Sequence, residues 1–403
     1  MRFKFGILLL FFFWAPLTAF AQKDSLKLAG HQVMTPPFLP THPLGIFTLR
    51  LAEDFRMAPP EEPYLNLTFS NGNCWSPPVT AYIPTESAEI ERMRSLPWHT
   101  REKSLTEDAA AYQQLMYAAD GVLRELRLDL GFKVKNAHEI GIVSRAYYLS
   151  AGEAPTALLT SDQFIEWFHS DIYKDPDPFA RRVYGFNQAQ IRFQDAAGKV
   201  LAFQERDVFL PATELKYSYY PGWLNSRNFA LKATSHVAFI HHTYNTSLDG
   251  GLALTAIKNF SFTGYRSFQI GCSSGVVRRR LVAAAANVDF IEAKTGITLQ
   301  SVFRYSWLSR NNSRSTLSLG MHNQSAYYTG DKSYGYWALA GERYTSHWAV
   351  TFHHLFRNLQ AWTLAYQYSR KCAFTFYIQE DLLVNNGPDV QVGFSVGVPL
   401  ANR

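Results

Sequence analysis

The chain has 403 residues, a formal charge of +6 and 15% aromatic residues, among them 30 Phe, 22 Tyr and 9 Trp. The mild, dispersed positive charge argues against a nucleic-acid partner, and no stretch beyond the N-terminus is apolar for the roughly 20 residues a membrane helix needs. So high an aromatic content is rare in a water-soluble enzyme but fits a membrane barrel, whose interfaces carry aromatic girdles.

Residues 1–21 read as a secretory signal. Arg2 and Lys4 form the positive start, Ile7 to Trp14 the apolar core, and Ala19-Phe20-Ala21 the small-x-small site. Cleavage is expected after Ala21. Removing Arg2 and Lys4 takes the formal charge from +6 to +4. No cysteine stands in lipobox position. Cys74, Cys272 and Cys372 are odd in number and match no metal spacing, leaving open one disulfide with a spare thiol or three unpaired thiols.

Residues 22–63, with Thr35-Pro36-Pro37 and Ala58-Pro59-Pro60, read as an irregular periplasmic segment that leads into the barrel. From Tyr64 to Arg403 the chain alternates in polarity with period two, predicting an all-β fold: an antiparallel transmembrane β-barrel of about 12–16 strands. Leu65, Leu67 and Phe69 oppose Asn66, Thr68 and Ser70. Leu126, Leu128, Leu130, Phe132 and Val134 oppose Arg127, Asp129, Gly131 and Lys133. The same pattern recurs at Trp362–Ser369 and Val390–Val398, placing apolar groups outward and polar groups inward.

Long links at 72–122 and 150–186 alternate with short turns near Asn136 and at Asp195-Ala196-Ala197-Gly198. This parity favours a barrel with short periplasmic turns over a soluble sandwich. Residues 86–120 carry helix formers and charges and predict a helical or mobile outer loop. Residues 161–173 predict a short amphipathic helix capped by Thr160 or Ser161, with Phe164, Trp167 and Phe168 on one side. Lys174-Asp175-Pro176-Asp177-Pro178 ends it.

Ala119-Asp120-Gly121 before one strand, Glu139-Ile140-Gly141 in the next, and Asp162-Gln163-Phe164-Ile165-Glu166-Trp167-Phe168-His169 follow in order. With Gln379-Glu380-Asp381-Leu382 and Gly387-Pro388-Asp389-Val390, this run resembles an uncharacterised outer-membrane barrel family, domain of unknown function 3187. Val122 and Ala151-Gly152-Glu153 depart from that family's pattern. The resemblance implies a fold and an outer-membrane address, and no activity.

Asp162, Glu166 and His169 are the candidate functional residues, since a carboxylate beside an imidazole on one helix side can bind a metal or shuttle a proton. The commoner role for such a set is a solvated polar flank. The pairs His241-His242 and His353-His354 lack a local serine motif for a lipid-cutting triad. Arg278-Arg279-Arg280 reads as a loop meeting lipid phosphates or lipopolysaccharide, and Asp249-Gly250-Gly251 as a turn. No P-loop, dinucleotide fingerprint or metalloprotease helix is present, so no cofactor and no metal is expected. The expected partners are outer-membrane lipid, lipopolysaccharide and the barrel-assembly machinery, with any small-molecule ligand unspecified. The leading function is a non-enzymatic pore or structural surface protein. The alternatives are a lipid-modifying barrel enzyme and a secreted soluble β-protein.

Overall fold

The computed structural model describes residues 36, 38–39, 43–83, 86–95, 113–152, 157, 159–174, 185–226, 228–263, 265–289, 293–309, 311, 313–327, 336–339, 358–381 and 390–400. The signal sequence with its cleavage site after Ala21, and the pair His353-His354, lie outside these residues.

The described strands are β1 (Tyr64–Ile83), β2 (Gln113–Lys135), β3 (His138–Ser150), β4 (Gln190–Gln194), β5 (Val200–Gln204), β6 (Val208–Tyr219), β7 (Phe229–His242) and β8 (Asn245–Thr263). They continue with β9 (Arg266–Ala286), β10 (Thr295–Leu308), β11 (Arg314–Gln324), β12 (Tyr336–Leu339), β13 (Leu359–Ser369), β14 (Ala373–Glu380) and β15 (Val390–Pro399). Twelve of them form a closed antiparallel ring. Its order is β1-β2-β3-β6-β7-β8-β9-β10-β11-β13-β14-β15, and β15 returns to β1 through Tyr64↔Pro399 to Gly72↔Gln391. Closure leaves this ring no unpaired edge in hydrocarbon, where an open backbone group would cost several kcal/mol.

The wall carries the alternation read from the sequence. Leu126 and Phe132 are exposed on β2, while Arg127 and Asp129 between them are buried. Outward aliphatics such as Leu252, Leu254, Leu299, Leu319 and Leu364 are about half exposed or more. Tyr217, Tyr219, Tyr265, Tyr305, Trp307 and Tyr368 ring the exterior toward one end. That is an apolar band with an aromatic girdle, the exterior of a transmembrane barrel.

Connections divide by end. At one end they run over 136–137, 220–228, 264–265, 309–313 and 370–372. At the other they run over 84–112, 151–207, 287–294, 325–358 and 381–389, with the tight turn 243–244 as the exception.

Several boundaries differ from the sequence reading. The first long link shortens to 84–112, because β1 and β2 stay paired as far as Ile83↔Gln113. Pro77 and Pro78, which cannot both serve the ladder, sit in a register shift between Ser76 and Val79. Within the link, α1 (Ser87–Ser95) is the one described helix, with an Arg92–Glu89 pair. The turn at Asp195–Gly198 is not a barrel turn. It tips the β4–β5 hairpin, whose strands have 5 residues each and are too short to cross a bilayer. Instead β4 pairs with β2 at Met116–Asp120, beyond the end of β3. Asp249-Gly250-Gly251 is likewise no turn, but lies inside β8. None of the three cysteines is joined in a disulfide.

Candidate functional site: an occupied lumen

Part of the segment read as a periplasmic lead-in, residues 47–57, instead lies inside the barrel. A short helix, α2 (Pro43–Ile46), lies near the long-loop mouth, and residues 47–57 then run down the lumen in extended form to β1. Their partners descend in step. Asn245 Nδ2 donates to Phe47 O at 3.1 Å, Leu49 N donates to Asp249 Oδ2 at 2.9 Å, Glu53 N donates to Gln300 Oε1 at 3.1 Å, and Arg304 donates to Phe55 O at 3.1 Å. Arg145 on the facing wall donates to Thr48 O at 3.2 Å. These strap backbone groups are thus satisfied by wall side chains rather than by a strand ladder. Upstream, Leu39 N donates to Gln391 at 2.9 Å, Phe38 O accepts from Arg50, and the Phe38 ring stacks on His322. Residues 36, 38 and 39 therefore lie beside 50–53 in the lumen.

Glycines in the wall receive it. A Cβ on Gly271 would stand 2.3 Å from the Phe55 ring, one on Gly275 2.4 Å from Leu51, and one on Gly251 2.9 Å from Leu51. Only a residue without a side chain allows that approach.

Charges hold it. Glu53 lies 3.0 Å from Lys232 Nζ and 2.7 Å from His236 Nε2, and accepts from Thr234 Oγ1 at 3.1 Å. His236 Nδ1 lies 2.7 Å from Glu214. Carboxylates only accept, so both ring contacts are hydrogen bonds when both nitrogens carry protons. Lys232 also reaches Asp54 at 2.9 Å; Arg56 reaches Asp54, Tyr64 and Glu139, the last at 2.7 Å; and Arg50 pairs with Glu125. Burial alone would raise the Glu53 carboxyl, but Lys232 and His236 outweigh it and hold it below the usual carboxylate range. Asp54 behaves alike: burial opposes ionisation, and Arg56 with Lys232 overcomes it. Removing one partner from such a buried pair costs about 3–5 kcal/mol.

Above the charges the lumen turns apolar. Phe47 meets Phe203, Phe209 and His242, with Phe203 stacked on Phe209 at 4.1 Å. The β4–β5 hairpin brings Ile191, Phe193, Leu201 and Phe203 into this cluster. Asp195 accepts from Ala197 N, Lys199 N and, across the mouth, Asp289 N at 2.9 Å. Between the strap and β10–β14, a cavity of about 30 Å³ lined by Pro36, Leu51, Arg127, Gln300 and Gln379 remains. That is room for no more than a few water molecules.

The sequence candidates lie elsewhere. Ser161 caps α3 (Asp162–Trp167) by accepting from Phe164 N at 3.3 Å, and a π-helical turn, Phe168–Tyr173, continues it. Asp162 is buried, accepting from Asn187 N at 2.9 Å and Asn73 Nδ2 at 3.4 Å. Glu166 is buried and accepts from Ser170 at 2.9 Å, while His169 is half-buried with its ring edge-on to Phe168. Among the described residues no group of three His, Cys, Asp or Glu is placed to hold a metal. Arg278-Arg279-Arg280 is not a loop: it lies in β9 at a register shift opposite Asp249, with Arg278 exposed, Arg279 buried and Arg280 at φ +50°. His241 is exposed and stacks on Phe239, whereas His242 joins the aromatic cluster. Glu53, Lys232 and His236 were missed. Their signal was the alternation itself, since Lys232, Thr234 and His236 share the inward face of β7 and Phe47, Leu49 and Leu51 alternate with Thr48 and Arg50.

No protein-family model matches the chain, and no curated protein sequence matches it. Among solved structures it is similar to an outer-membrane channel from Pseudomonas putida F1, at 8% identity and a TM-score of 0.39, covering 87% of this chain and 99% of that one. The transport unit of the autotransporter AIDA-I from Escherichia coli matches at 7% identity and a TM-score of 0.37, over 89% and 96%. The Pseudomonas putida toluene transporter TodX matches at 7% and 0.29, over 91% and 98%. At such values nothing of their activities carries over to this chain.

Proposed function

We propose that this protein is an outer-membrane pore for hydrophilic solutes, held shut by its own N-terminal strap. The observation that carries the reading is the wall beneath the strap. Arg127, Asp129, Glu214, Lys216, Lys232 and His236 face inward and are buried in the filled lumen. Stability alone does not call for such a lining, since replacing buried ion pairs by well-packed apolar residues is often neutral or stabilising. Once the strap leaves, the same wall bounds a hydrated passage carrying both signs of charge.

In this reading the signal is removed after Ala21, and the assembly machinery inserts the barrel into the outer membrane with its short turns in the periplasm. Outward Arg278 and Arg124 at the long-loop end meet lipid phosphates or lipopolysaccharide. The resemblance to domain of unknown function 3187 agrees with the same address.

Planar-bilayer recording tests the pore. The full-length protein is expected to be mostly silent, with steady conductance in a variant whose strap is released, such as Glu53→Ala combined with Arg56→Ala. Proteolysis within residues 47–57 reports the release independently. A released strap with no conductance would refute the pore.

A further inference from the structure

The helical stretch Asp162–Tyr173 is turned inside out for a soluble loop. Between Asp162 and Trp167 the buried residues are Asp162, Ile165 and Glu166. Trp167, Phe168 and Ile172 are 49%, 41% and 55% exposed, with Phe164 beside Trp167 at 5.8 Å and Phe168 at 6.4 Å. The polar flank is taken up by the barrel: Asn73 Nδ2 donates to Thr160 O at 3.0 Å and lies 3.4 Å from Asp162 Oδ1.

Asn73 gives the helix its depth. On β1, Leu65, Leu67 and Phe69 point outward, and the next residues of that parity are Asn71 and Asn73, both buried. On neighbouring β2 the outward row of Phe132, Leu130, Leu128 and Leu126 gives way to Arg124, whose guanidinium stands 5.5 Å from the Tyr148 ring centroid. Asn73 pairs with Val122, one outward position beyond Arg124, and Val122 is buried as well. The outer apolar band therefore ends at Phe69 and Leu126, and the helix covers the positions immediately above it. A chain of aromatics pointing away from the wall at that height is continuous with the lipid-facing surface and meets the headgroup boundary, where amphipathic rings partition.

We propose that Phe164, Trp167, Phe168 and Ile172 form an interfacial anchor that inserts into the lipid leaflet on the long-loop side. This rests on the membrane reading above. It assigns the stretch around Asp162, Glu166 and His169 to lipid binding, with Thr160 and Asp162 fixing the helix to the wall through Asn73.

Position-dependent quenching tests it in the refolded full-length protein in phosphatidylcholine vesicles. The background carries Cys74→Ala, Cys272→Ala and Cys372→Ala, and a single environment-sensitive fluorophore is placed by Trp167→Cys, Gln163→Cys or Leu254→Cys. Heat-modifiable gel migration confirms that each variant folds. The expected result is several-fold stronger quenching at position 167 by a nitroxide lipid labelled near the headgroup than at exposed Gln163, which aqueous iodide quenches instead. Position 254, in the outward band, should respond to a nitroxide deep in the acyl chain. If 167 behaves like 163 while 254 is quenched by lipid, the anchor is refuted and the membrane barrel stands. If 254 also escapes lipid, the membrane reading fails and the anchor falls with it.

Discussion

Glu53 Oε1 and His236 Nε2 lie 2.7 Å apart, which joins the strap to β7 at the middle of the lumen. The contact is one of several on the same carboxylate, since Lys232 and Thr234 converge on it too. Glu53→Ala leaves Lys232 buried with one carboxylate partner fewer and His236 with only Glu214. We expect a loss of about 3–5 kcal/mol in strap docking, read as faster proteolysis within residues 47–57 at unchanged heat-modifiable migration. Unaltered cleavage would show that this cluster does not hold the strap.

The strap's response to acid follows from Glu53 and Asp54. Both carboxyls are held below their ordinary values of 4.5 and 3.8, by Lys232 and His236 in one case and by Arg56 and Lys232 in the other, despite opposing burial. A depressed folded value means that the released strap binds protons more readily. Their stabilisation is full above the ordinary values and is lost as pH falls below them toward the folded ones. Protease sensitivity of the strap should therefore stay flat on these groups' account from neutrality to about pH 5 and rise only in stronger acid. An onset between pH 5 and 7 that persists in Glu53→Gln would assign the control to other groups.

Steric release should work without touching a charge. Gly271→Val places carbon where the Phe55 ring now lies, and overpacking of this kind costs about 1–3 kcal/mol. Gly320 is the matched control, because a Cβ there meets nothing closer than 3.6 Å. Gly271→Val should raise bilayer conductance and Gly320→Ala should not. Equal behaviour of the two would mean that Phe55 yields without moving the strap.

The hairpin over the mouth depends on its aromatics. Phe203 packs on Phe47, Phe209 and Tyr244, so Phe203→Ala should cost about 3–5 kcal/mol. Hydrogen exchange should accelerate in β4 and β5 while the β7–β8 and β9–β10 ladders keep their protection. Loss of protection throughout the ring would instead make the hairpin part of the barrel's folding core.

The wall was legible because an inward Arg127 and an outward Leu126 obey a strict two-residue period that the sequence displays. Ring closure was less so, since no local pattern says that Tyr64 pairs with Pro399 as well as with Gly131. The strap escaped for a different reason. Residues 47–57 alternate like a strand, but the prolines at 36, 37, 59 and 60 marked the region as irregular, and which strand-like segment lies inside a ring depends on contacts some 200 residues away, such as Leu49 with Asp249. The charge network was invisible as a unit, because Glu53, Glu214 and His236 come from three distant stretches. The helix at 161–173 shows in the sequence with its aromatic stripe and with Ser161 as one of two candidate caps. Which side would be buried depended on Asn73, remote in sequence.

The strap runs without interruption into the first strand, and Arg56 still touches Tyr64, its guanidinium 4.4 Å from the ring centroid. A stopper tethered through so few residues cannot diffuse away. On the proposed pore reading it swings out near the short-turn end and returns, and its return is unimolecular. Short flexible tethers give local concentrations on the order of millimolar, so each opening should be brief and its lifetime independent of protein concentration.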